Sequence, residues 1–67
     1  MHVGDIIRQK VEEKGITIVW LAKQMSCTRA NIYKIFNRKS IDTDTLSRLS
    51  AVLEYDFFLH LSKYKDE

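Results

Sequence analysis

Apolar residues recur at helical spacing along most of this chain. Val3, Ile7 and Val11 fall every fourth residue, which predicts one stripe on a helix from Gly4 or Asp5 to Lys14. Asp5 complements the positive end of that helix and Lys14 the negative end. Gly15 stands just past it, where a left-handed conformation is cheap only for glycine. Ile18, Leu21, Ala22 and Met25 keep the spacing of one helical face and predict a second, short helix over Ile18 to Met25, capped by Thr17. Ser26 and Cys27 interrupt the pattern. Thr28 then caps a third helix, Arg29 to about Asn37, with Ile32, Ile35 and Phe36 inward. Its other face carries Arg29, Ala30, Tyr33, Lys34 and Asn37. After a loop at 38–41, Asp42 caps a fourth helix through Glu54, with Leu46, Leu49, Val52 and Leu53 inward. Asp56 caps a fifth from Phe57 to about Tyr64, with Phe57, Phe58 and Leu61 as its apolar side.

The expected fold is therefore all-α, a compact bundle of five short helices. The chain has no proline, repeat, low-complexity tract or linker, so residues 1–67 read as one domain, with 64–67 frayed. A chain of 67 residues buries only a modest core, which makes helix caps and a partner subunit matter more. No apolar run approaches the roughly eighteen residues of a membrane span, and the N-terminus shows no cationic-then-apolar leader. Cys27 is the only cysteine, which excludes an internal disulfide framework and a multi-thiolate metal site and points to a cytoplasmic setting.

Net charge is only +2, but its distribution is uneven. Residues 1–13 carry −1 and residues 42–67 carry −3, whereas 14–41 carry +6 from Lys14, Lys23, Arg29, Lys34, Arg38 and Lys39 with no carboxylate. A basic centre between acidic ends suits a polyanion on one face; the plain alternative is a solvated positive face. His2 and His60 lie far apart and in no ligand motif, and Glu12 and Glu13 point to different sides of a helix. There is no phosphate-cradling glycine loop, nucleophile elbow or zinc spacing. The chain reads as a non-enzyme with no metal, cofactor, membrane or small-molecule substrate.

Two short helices joined by a tight turn pack at a steep angle, and their crossing needs a small side chain, which Ala22 supplies. Leu21, Met25, Cys27, Ile32 and Ile35 fill the wedge around it. With these residues, the stretch from Ile16 to Ile35 resembles the lambda-repressor-like, Cro-type helix-turn-helix family, also called the xenobiotic-response-element family. Asp42 to Leu53 resembles that family's fourth helix. The resemblance implies five helices, DNA binding and, commonly, a dimeric regulator of transcription. Three positions depart from the pattern. Ser26 replaces a common turn glycine, at about 1 kcal/mol if its φ is positive. Ile18 replaces a glutamine that holds a DNA phosphate. Phe36 replaces an acidic residue paired to a base at the place of Lys10, so Phe36 is expected to pack instead.

Carried onto this chain, the third helix is the reader in the major groove of duplex DNA. Base contacts fall on Arg29, Ala30, Tyr33 and Lys34; an arginine there can give guanine two hydrogen bonds. Phosphate contacts fall on Thr28, Asn31, Asn37, Arg38 and Lys39. Each has a plainer reading: solvated cations for Arg29 and Lys34, a half-buried ring over Ile32 and Trp20 for Tyr33, and complement to a helix end for Arg38 and Lys39. Trp20 is expected to pack rather than stack on a base, and Cys27 to be a small buried thiol with no basic neighbour at helical spacing. Phe57, Phe58, Leu61 and Tyr64 are the expected dimer or partner contacts, one phenylalanine closing the core and the other meeting a second subunit. The expected activity is that of a small regulator of repressor type. The alternative is a protein-interaction module, such as an antitoxin acting through the C-terminal helix.

Overall fold

The computed structural model describes residues 2–63 and is built of α1 (Val3–Glu13), α2 (Ile18–Gln24), α3 (Arg29–Phe36), α4 (Thr43–Leu53) and α5 (Phe57–Ser62). The four polar caps read from the sequence are in place. The side chains of Thr17, Thr28, Asp42 and Asp56 accept from the backbone N–H groups of Trp20, Asn31, Thr45 and Leu59 at 2.9–3.2 Å. Each satisfies one of the donors that a helix start leaves without an intrahelical partner.

The start of α1 differs from expectation by a residue. His2 is its cap, with Nδ1 accepting from the Asp5 N–H at 3.1 Å. Imidazole can serve here because its unprotonated nitrogen is an acceptor. The expected span to about Tyr64 for α5 is shorter as well: the helix closes at Ser62, and Tyr64 and the 64–67 tail lie outside the described residues.

Three helices end in the same way. Gly15, Ser26 and Glu54 all have positive φ, at 67°, 54° and 52°. After each, the next N–H reaches back into the helix: Ile16 to Val11, Cys27 to Ala22 and Tyr55 to Ser50, at 3.1, 2.9 and 3.0 Å. These are Schellman closures, in which a left-handed residue lets the chain satisfy carbonyls at the helix end. Only the first uses glycine.

The core is formed by Ile7 and Val11 of α1, Leu21, Ala22 and Met25 around α2, Ile32 and Phe36 of α3, Leu46, Leu49 and Leu53 of α4, and Phe57 of α5. Ile35 and Val52, expected inward, are only partly buried and pack at its edge. Phe36 is buried, as the absence of an acidic partner for Lys10 implied. Lys10 instead pairs with Glu13 at 3.1 Å and lies 4.1 Å above the Tyr55 ring.

Candidate nucleic-acid interface

The interface is built on α3, and three neighbouring elements set its position. From one side comes the turn. Ser26 takes the left-handed conformation, so Thr28 follows at once as the cap of α3, and Ala22 lets α2 cross close by. From α4, Arg48 Nη2 donates to the carbonyl of Met25 at 2.9 Å, which ties α4 to the end of α2 across 23 residues. A guanidinium on a helix C-terminal carbonyl also opposes the negative end of the helix.

At the far end, α1 meets α3 head to tail. The first N–H groups of α1, from Val3 and Gly4, donate to the carbonyls of Lys39 and Arg38 at 3.1 and 2.9 Å. Unpaired donors of one helix start thus satisfy carbonyls just beyond another helix end. Contact this close requires Gly4: a Cβ there would overlap the carbonyl oxygens of Phe36 and Ile35. The backbone that carries Arg38 and Lys39 is thereby held in place while their side chains remain in solvent.

The outward face of α3 is open. Ile32 and Phe36 point to the core, and Arg29, Ala30, Asn31, Tyr33, Lys34 and Asn37 are exposed, as are Thr28, Arg38 and Lys39. Tyr33 is 54% exposed, and its ring meets Phe36 edge-on at 6.3 Å between centroids. No basic residue from 14 to 41 forms an ion pair among the described residues, whereas on α1 Arg8 and Lys10 pair with Glu12 and Glu13. Asp42 sits beside this region but is occupied: Thr45 donates to it from both backbone and hydroxyl. These bonds, with a smaller contribution from Arg38, hold its carboxyl below the usual carboxylate range.

Other expectations shift. Cys27 is half-buried rather than buried, because it lines a cleft of about 320 Å³ between α3 and α4. Lys34, Arg38 and Arg48 line the same cleft, so the basic neighbours missing from its helical spacing arrive from other elements. Trp20 is 43% exposed on α2 and does not fill the core. Ile18 packs at the core edge, as an aliphatic residue in place of a phosphate-holding glutamine would. Phe57 is fully buried and so leaves the set of partner contacts: it closes the core beneath α4. Phe58 and Leu59 are exposed, and Leu61 is partly buried. The placements of Arg48 and Leu59 were not legible in the sequence. Arg48 acts across a contact remote in sequence, and Leu59 lies off the stripe that its neighbours define.

No helix among the described residues is long and apolar enough to cross a membrane, and no cluster of three or more His, Cys, Asp or Glu there could hold a metal. A family model described as helix-turn-helix matches residues 7–59, from within α1 to the middle of α5. No curated protein and no solved structure matches the chain.

Proposed function

The chain belongs to the lambda-repressor-like, Cro-type helix-turn-helix family, whose members are DNA-binding regulators of transcription, and on that premise we propose that it reads a specific duplex sequence with α3. The observation that carries this reading is the exposed face of α3, cationic and without an ion pair among the described residues. Arg29, Ala30, Tyr33 and Lys34 meet base edges in the major groove. Thr28, Asn31, Asn37, Arg38 and Lys39 hold the flanking phosphates and fix the register. The protein acts in the cytoplasm as a repressor: bound to its operator, it excludes other proteins from the same groove.

A single short α3 contacts few base pairs, so specificity is gained by pairing two copies on an inverted repeat. The second copy docks through Phe58 and Leu61. Selection of bound duplexes from a random library at near-physiological salt tests the reading. The expected result is a short enriched motif, arranged as an inverted repeat. Combined Arg29→Ala and Lys34→Ala substitution should lower affinity for it by 100-fold or more, since an arginine–guanine pair alone contributes about 1–3 kcal/mol. No enrichment by the wild type would sink sequence-specific recognition.

One observation favours a second reading. Phe58 and Leu59 are 43% and 62% exposed side by side, which suits a protein-interaction module such as an antitoxin gripping its partner through α5. Phe58→Glu separates the two: in the first reading it weakens the dimer and with it operator binding, and in the second it abolishes partner capture and leaves any DNA affinity intact.

A further inference from the structure

We propose that the cleft between α3 and α4 is a phosphate site that seats one phosphodiester of the DNA backbone, with Arg48 among its ligands. The inference rests on the DNA-binding reading and adds to it a residue from α4 that no sequence motif singles out.

Three cations, Lys34, Arg38 and Arg48, line this cleft together with the amide of Asn31 and the hydroxyl of Thr45, and no carboxylate among the described residues lines it. None of the three forms an ion pair among the described residues. The contrast with α1 is direct, since Arg8 and Lys10 are each neutralised by a glutamate on their own helix. Asp42, the carboxylate that senses Arg38, is held by Thr45 and serves as the cap of α4. Three like charges around one cavity repel each other, and an anion entering the cavity relieves that repulsion.

Arg48 is placed for the task by the turn itself. One of its N–H groups is spent on the Met25 carbonyl, and both residues line the cleft. A guanidinium has five donors in a planar fork, so the remaining ones serve a ligand, and the fork matches two oxygens of a phosphate. The cleft shares Asn31 and Lys34 with α3 and Arg38 with the segment just beyond it. A strand whose groove holds α3 therefore passes along its rim.

The test is a double-mutant cycle between protein and DNA. The selected duplex is prepared with single neutral methylphosphonates at successive backbone positions and titrated with wild type and with Arg48→Gln, which loses the charge. One phosphate should matter to the wild type and cost Arg48→Gln nothing further. The slope of log affinity against log salt should flatten by about 0.9, roughly three- to four-fold less loss between 50 and 200 mM. Arg48→Lys should restore the slope. Additive losses at every phosphate, or weaker binding with an unchanged slope, would reduce Arg48 to a brace of the turn and overturn the site. If Arg48→Gln does not fold, Arg38→Gln runs the same cycle without touching the turn. If the wild type binds no duplex at all, the DNA-binding reading itself fails. Inorganic phosphate is then titrated against chloride at equal ionic strength while the Arg48 side-chain N–H signal is followed. A phosphate-specific shift assigns the cleft to free phosphate and overturns the DNA source; no shift overturns the site altogether.

Discussion

Helices α3 and α5 are built alike and turned to different uses. Both are short, both start on a polar cap, Thr28 and Asp56, and both sink aromatic residues into the same core, Phe36 and Phe57. Their outer faces have opposite chemistry. That of α3 carries Arg29, Asn31, Lys34 and Asn37, cationic or amide, and that of α5 carries Phe58 and Leu59. The inward residues and caps are what the fold needs, so they are similar in the two helices. The outward residues are released from that need, and their chemistry differs: cationic and amide on α3, apolar on α5.

The sharpest way to break this comparison uses the adjacent pair Phe57 and Phe58. Phe57→Ala removes a fully buried ring and leaves a cavity, at about 3–5 kcal/mol. That is most of the stability available to a domain of this size, so urea denaturation should find the variant largely unfolded. Phe58→Ala should change the stability of the monomer by less than about 1 kcal/mol, because a surface substitution leaves no cavity. If the two variants lose the same stability at a concentration where the protein is monomeric, the outer face of α5 is part of the core and not a docking surface.

Gly4→Ala acts on the α3 side. The added methyl meets the carbonyls of Ile35 and Phe36, which are backbone and cannot rotate away. Overpacking of this kind costs about 1–3 kcal/mol. It should also disturb the bonds from Val3 and Gly4 to the Lys39 and Arg38 carbonyls. Thermal melting should show the loss of stability, and DNA affinity should fall further than stability accounts for. An unchanged affinity in the folded fraction would mean that α1 does not position the proposed phosphate contacts at Arg38 and Lys39.

How much of this was legible depends on the range of the signal. The caps at Thr17, Thr28, Asp42 and Asp56 and the buried stripes were readable because each is decided within one or two turns of helix. The outward face of α3 was readable for the same reason. Gly4 carries a local signal, a poor helix former in a first turn, but its reason is a contact with residues 35 and 36. Arg48 carried none, since its partner is 23 residues away and is a backbone carbonyl. The cleft was hidden likewise, being assembled from α3, α4 and the turn. Phe57 and Phe58 could be told apart only by the docking angle of α5, to which both residues look the same in sequence.

The smallest expected effect concerns how α3 is launched. Ser26 holds φ at 54°, a conformation in which its Cβ crowds the backbone, and glycine does not meet that penalty. Ser26→Gly should therefore stabilise the protein by about 1 kcal/mol or less, the gain being reduced by the greater freedom of glycine in the unfolded chain. Glu54 at 52° ends α4 with the same closure, so Glu54→Gly offers an internal control at the other end of the molecule. Both variants should shift the denaturation midpoint upward with an unchanged slope. Their functions should then diverge: Ser26 adjoins the turn that orients α3, and Glu54 leads into α5. Relief at Ser26 that leaves DNA affinity unchanged means the turn only tolerates strain. A loss of affinity despite higher stability means the serine conformation sets the angle at which α3 enters the groove.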